Sequence, residues 1–217
     1  MTRRALLALA ASLTSLPACS QEPRALTSAG QELLREVGFD HPTVVASIAA
    51  VGGPVHRLMA LSDEGEAVPA PGVTVELPED RVSSELARLR EALGPLGFGV
   101  YQAEQHFGFE PDRLAIVTGT DPYEFLRIVR IDGINYDLEH EAVVAKLREW
   151  DSRYGLDYLG AGLDWVNARF KTLPSDMAPF AQEVYAFCPD VVDQGTETVE
   201  RLADEMRRSG TLYCWWD

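Results

Sequence analysis

A short segment near the carboxyl end combines two carboxylates and an amide. It has the sequence CPDVVDQG over residues 188–195 and contains Asp190, Asp193 and Gln194. Carboxylates three positions apart can face one cavity, where they would hold a cation or act as an acid–base pair. The same residue types also cap turns, and this structural interpretation is favoured over the functional one.

Tryptophan and aspartate are neighbours at two further places. Asp164 precedes Trp165, and Trp215-Trp216 precedes the final Asp217. Aromatic rings can line a binding pocket, although in a terminal strand they more often fill the core. The candidate binding residues are Asp164, Trp165, Asp190, Asp193, Gln194, Trp215 and Trp216.

Cysteine and histidine usage predicts neither a metal site nor a cofactor. The four histidines are scattered and the three cysteines form no CxxC motif. Cys188 and Cys214 can pair as a disulfide in an oxidising compartment, or remain free thiols among apolar neighbours. The GxSxG, GxxxxGK[ST] and HExxH signatures are all absent from the sequence, so the familiar hydrolase and nucleotide-binding motifs are not present.

Hydrophobic periodicity predicts alternating helices and strands around these residues. The acidic loop lies between two amphipathic helices, and the segment 211–217 is apolar on both faces, as in a strand covered on both sides. This mixture indicates an α+β fold with a mixed sheet flanked by helices and a buried terminal strand. A division near residue 106 would separate an N-terminal α+β subdomain (27–106) from a C-terminal domain (107–217).

The amino-terminal residues have the features of an export signal. Two arginines precede an apolar run over residues 5–13, which is too short to span a bilayer comfortably. The sequence LPAC at residues 16–19 resembles the bacterial lipobox. We therefore expect a signal peptide over residues 1–18, lipid modification of Cys19 and a polar tether over 19–26. If the start of the chain is mis-assigned, the protein is instead cytoplasmic.

Charge argues against one class of partner. The chain has 34 acidic and 19 basic residues among 217, with a net charge of −15. So negative a surface repels phosphate backbones, and we expect no nucleic-acid partner.

The segment from about residue 107 to 217 resembles the bacterial domain-of-unknown-function family 4253. The resemblance rests on DPY at residues 121–123, DGINY at 132–136, GAGLDW at 160–165, YAFCPDVVDQG at 185–195 and the terminal WWD. That family has no established chemistry, so the resemblance implies no role for any of these positions.

Two hypotheses about function follow. The first is a non-enzymatic, envelope-anchored binding protein. One version of it is an immunity-type protein that engages a basic protein partner through its carboxylates. It would meet the membrane only through its lipid anchor. The alternative is a hydrolase that uses Asp190, Asp193 or Asp164 in a cleft, with or without a divalent metal.

Overall fold

The computed structural model describes residues 26–62 and 65–217. Within them the strands form one mixed sheet in the spatial order β1-β2-β4-β3-β5-β6-β7. The strands are β1 (Val55–Leu61), β2 (Ala67–Leu77), β3 (Phe98–Glu104), β4 (Asp112–Thr118), β5 (Leu156–Ala161), β6 (Trp165–Phe170) and β7 (Thr211–Trp215). Neighbouring strands are antiparallel except β3 and β5, which run parallel. With helices on its faces this sheet is an α+β fold, so the predicted fold class is confirmed.

Helices precede or connect the strands, and five of the seven described helices begin at a side-chain cap. They are α1 (Ser28–Glu36), α2 (Pro42–Val51), α3 (Glu79–Leu93), α4 (Pro122–Val129), α5 (His140–Tyr154), α6 (Met177–Phe187) and α7 (Val199–Ser209). The Asp121 carboxylate, for example, accepts a hydrogen bond from the Tyr123 backbone N–H at 3.0 Å, and Pro122 occupies the first position of α4. None of the described helices is both long enough and apolar enough to cross a membrane.

The two faces of the sheet bury different sets of side chains because successive residues of a strand point to opposite sides. On the first face, Val75 and Ile116 pack with α1, α2 and α3. On the second face, Ala115 and Val117 pack in a larger cluster with α4, α5, α6 and α7. The first face is therefore covered by the helices of the N-terminal half, and the second by those of the C-terminal half.

The predicted division near residue 106 falls in the connection between β3 and β4, two neighbouring strands of the same sheet. Within the sheet, the strands β1–β4 meet the strands β5–β7 where β3 runs beside β5, and only Gln102 and Gly160 are paired there. A Cβ on Gly160 would lie 2.5 Å from the carbonyl oxygen of Gln102, so this close approach requires glycine.

Arg90 of α3 strengthens this junction. Its Nε donates to the carbonyl oxygen of Val100 in β3 at 2.8 Å, and its Nη1 lies 3.0 Å from the Asp157 carboxylate in β5. Its Nη2 donates to the carbonyl oxygen of Tyr158. A side chain of the N-terminal half therefore ties both strands of the junction together.

Candidate functional site

Three aromatic side chains lie side by side on the first face of β6 and β7. Trp165 and Trp215 are directly paired across the two strands, and Tyr213 is two positions before Trp215. The ring centroids of Trp165 and Tyr213 are 6.2 Å apart in a stacked arrangement, and those of Tyr213 and Trp215 are 5.5 Å apart. We call Trp165, Tyr213 and Trp215 the aromatic row.

The aromatic row is only partly covered. The hydrophobic cluster formed by α1–α3 on the first face reaches Leu159 and includes no other described residue of β5, β6 or β7. All three rings of the row are half-buried. A contiguous apolar surface of this kind on a sheet is available to a ligand or a partner.

Trp215 owes its orientation to a close contact with the segment Val191–Thr196, which forms a π-helical turn. A Cβ on Gly195 would lie 2.6 Å from the Trp215 indole, so only glycine lets the ring pack there. Asp193 and Gln194 lie in this same turn and are exposed. The predicted loop is thus a helical turn that supports one end of the aromatic row.

Polar groups surround the row. The Tyr213 hydroxyl donates to the Gln105 side-chain oxygen at 3.4 Å. Burial, together with the negative charge of the exposed Asp164, raises the pKa of Tyr213 to about 12. Asn167 lies opposite Tyr213 in the pairing of β6 with β7. Its side-chain oxygen is buried and has no hydrogen-bond partner among the described residues.

Asp190 has a different environment and a structural role. It is 2% exposed, and its carboxylate accepts hydrogen bonds from the Tyr136 hydroxyl at 2.5 Å, the Gln194 amide at 2.9 Å and the Asp217 backbone N–H at 2.8 Å. Burial opposes ionisation, but these three donors outweigh it and lower the pKa of Asp190. The hydrogen bond between the Tyr136 hydroxyl and the Asp190 carboxylate raises the pKa of Tyr136 to about 12.

Asp193 does not share the buried environment of Asp190. Its carboxylate is exposed and accepts a hydrogen bond from the Tyr185 hydroxyl at 3.0 Å. Asp190 has both oxygens occupied by protein donors, so the pair has no shared open site for an acid–base reaction. Among residues 26–62 and 65–217, no three His, Cys, Asp or Glu side chains are grouped so as to hold a metal ion.

Trp216 lies on the second face, opposite its neighbour Trp215. It is 3% exposed, and its indole N–H donates to the carbonyl oxygen of Phe187 at 3.2 Å. Its backbone N–H donates to the Asp164 carbonyl oxygen at 2.9 Å. A Cβ on Gly133 would lie 2.9 Å from the indole, so this ring is closely packed core.

The two C-terminal cysteines are buried free thiols in the structure. The Cys188 Sγ donates to the Trp215 carbonyl oxygen at 2.9 Å. A hydrogen bond between the two thiols, reinforced by burial, raises the pKa of Cys214 well above its ordinary value. Their proximity is compatible with the predicted disulfide, which stays a prediction. Cys19, the predicted lipidation site, lies outside the described residues.

The seven candidate residues therefore fall into three environments. Trp165, Trp215 and Asp164 come together at the aromatic row, and Asp190 and Trp216 belong to the interior. Asp193 and Gln194 are exposed on the π-helical turn. Sequence reasoning missed Tyr213, Gln105 and Asn167. Strict alternation along β7 could have placed Tyr213 beside Trp215, but Gln105 and Asn167 depend on strand pairings that the sequence does not reveal.

Comparison with known protein families matches the C-terminal part of the chain. Residues 113–217 match the family described as Domain of unknown function (DUF4253). Neither the curated proteins nor the solved structures include a significant match to this chain. The matched segment contains Asp164, the aromatic row and the π-helical turn that supports it. This match confirms the predicted resemblance of the C-terminal segment to the DUF4253 family.

Proposed function

We propose that this chain is a non-enzymatic binding protein that engages a basic protein partner through the aromatic row. The observation that carries the proposal is the partly covered first face of β6 and β7, where Trp165, Tyr213 and Trp215 lie in contact beside Asp164. The helices of the N-terminal half pack on the rest of this face and leave the row accessible.

The chemistry of the row favours cationic side chains. The face of an indole or phenol ring attracts an ammonium or guanidinium group, and a nearby carboxylate adds to that attraction. The net charge of −15 would also accelerate the encounter with a basic partner. Arg169 is exposed on the same face of β6 and would repel a positive group placed against it. The partner surface opposite Arg169 should therefore not be positively charged.

We further propose that the protein is exported and held at the bacterial envelope by a lipid attached to Cys19. The arginines, the apolar run and the LPAC sequence at residues 16–19 support this part of the proposal. An immunity-type protein that neutralises a basic toxin is one version consistent with such a location. Globomycin should cause an unprocessed form to accumulate, and a Cys19→Ala protein that fractionates unchanged would argue against the anchor.

The binding proposal is tested with a short lysine- and arginine-rich peptide as a defined basic probe. Fluorescence titration of the chain without residues 1–18 should show binding that weakens as salt rises, because the attraction is partly electrostatic. Trp165→Ala should weaken binding about tenfold, as expected for the loss of about 1–2 kcal/mol of cation–π interaction. Trp165→Phe should retain part of it.

Phe109→Ala provides the matched control. Phe109 is 91% exposed in the β3–β4 connection, so this change also removes an aromatic ring accessible to solvent, but one that lies outside the aromatic row. Equal affinities of Trp165→Ala and the parent protein, or an equal loss in Phe109→Ala, would contradict the proposal. An acidic peptide of the same length should not bind.

A further inference from the structure

A cavity of about 560 Å³ lies between α4, α5 and the end of β1. Among the described residues, its lining includes Arg127, Arg130, Arg148 and His140, together with the carboxylate of Glu141. This concentration of guanidinium groups is unexpected in a chain with 34 acids and 19 bases. The size is within the range of about 300–1,000 Å³ that small-molecule sites occupy.

Arg148 is the best-positioned of these cations. Its guanidinium lies over the ring of Tyr123, 3.6 Å from the centroid, which restrains the side chain. It makes no ion pair with a described residue, so its charge is available to a ligand. His140, Val144 and Arg148 follow one another at intervals of four and therefore share one side of α5.

Two further cations come from α4 and from the residue that follows it. Arg130 follows the last residue of α4 with a left-handed backbone (φ 52°), and its Nη1 donates to the carbonyl oxygen of Ser62 at 2.6 Å. Arg127 forms an ion pair with Glu124 one turn earlier, and both side chains are more than half exposed. Such an exposed pair contributes little stability, so an anion competes for Arg127 at small cost.

His140 has a defined tautomer. Its Nδ1 lies 2.9 Å from the carbonyl oxygen of Ile131, and because a carbonyl only accepts, Nδ1 carries the proton and donates it. The Nε2 atom has no hydrogen-bond partner among the described residues. Apolar side chains, Leu61 and Val144 among them, complete the lining.

We propose that this cavity binds a small molecule that carries an oxyanion on an apolar body. The guanidinium groups match the geometry of phosphate or carboxylate oxygens, and the apolar wall accommodates the remainder of the ligand. The cavity is built on the second face by α4, α5 and β1, away from the aromatic row on β6 and β7. The site is therefore independent of the proposed partner-binding face.

Thermal unfolding at constant ionic strength tests the site with three probes of similar size. Phenyl phosphate and benzoate carry the two oxyanions, and benzamidine carries a cation on the same ring. At ten times its dissociation constant, a bound oxyanion should raise the melting midpoint by about 3 °C. The larger shift among the two anions identifies the phosphate or carboxylate chemistry, and benzamidine should have no effect.

Arg148→Gln should abolish the shift, measured against the variant's own midpoint, and Arg127→Gln should reduce it. Arg207→Gln is the matched control, because Arg207 is also exposed and paired three residues away on its helix, yet lies outside the cavity. The proposal is overturned if neither anion raises the midpoint of the parent protein, or if Arg148→Gln retains the full shift.

Discussion

Two regions of the same sheet face have opposite compositions. On β2, β3 and β4 the first face carries aliphatic side chains, Val75, Val100 and Ile116 among them, which are at most 1% exposed beneath α1–α3. On β6 and β7 the same face carries the aromatic row and Asn167, all half-buried. The helices that complete the core in one region do not extend over the other.

This difference separates residues that stabilise the fold from residues available for recognition. Branched aliphatic side chains fill a closed core efficiently, whereas tyrosine and tryptophan combine apolar area with a polar atom that suits a half-wet surface. The second face provides the internal reference, because Trp216, directly after β7, is a buried member of its core, whereas the half-buried Trp215 only packs against that core. The following predictions test this separation.

The largest effect is expected for Trp216→Ala. Removal of this buried ring should lower the free energy of unfolding by about 3–5 kcal/mol, because it leaves a cavity in the second-face core. Trp215→Ala, one residue earlier on the other face, should cost only about 1–2 kcal/mol because its ring is half-buried. Urea denaturation followed by circular dichroism measures both. Equal losses would break the distinction between the two faces.

Asp190→Asn should cost about 2–3 kcal/mol, since the new amide N–H₂ would face donors that need an acceptor. Asp193→Asn, which affects one exposed hydrogen bond, should change the free energy of unfolding by less than about 0.5 kcal/mol.

The stabilisation by Asp190 should depend on pH, because its pKa is lower in the folded protein than in the unfolded chain. The contribution of the ionised carboxylate to stability is complete above the unfolded-state pKa and is lost as the pH falls through the folded-state pKa. The difference between parent and Asp190→Asn should therefore shrink from pH 7 towards pH 3 in denaturation curves; a constant difference would contradict this assignment.

Arg90→Met tests the junction between β3 and β5 and should lower the free energy of unfolding by about 1–2 kcal/mol. All four tryptophans, residues 150, 165, 215 and 216, lie in the C-terminal half, so their fluorescence reports that half while far-ultraviolet circular dichroism reports both. The two unfolding curves should separate in Arg90→Met. They should still coincide in Arg88→Met, whose arginine contacts Ser47 and Glu85 within the N-terminal half.

The smallest effect is expected for Asn167→Val. The change removes a buried amide oxygen that has no partner and adds a residue with high strand propensity. Stability should therefore stay constant or rise by up to about 1 kcal/mol. Asn167→Ala separates the loss of the amide from the gain in packing. A loss above about 1 kcal/mol in both variants would indicate that this oxygen is satisfied in solution.

The sequence predicted the fold class and its mixture of helices and strands, because apolar spacing of two or about four residues directly reflects burial. It selected Trp165 and Trp215 but could not separate Trp215 from Trp216, since both faces of residues 211–217 are apolar. Which face is covered depends on where α1–α3 end, a property of distant chain segments. The hydrogen bonds of Asp190 are equally non-local, for they come from residues 136, 194 and 217.

The position of β3 has a consequence for any shortened form of this chain. The family match begins at residue 113, the second residue of β4, yet β3 lies upstream and separates β4 from β5 in the sheet. A polypeptide limited to residues 113–217 would contain most of β4 and all of β5 but would lack β3, which lies between them. Two rows of unpaired backbone groups would then open in the middle of the sheet, and neighbouring copies would tend to associate through them.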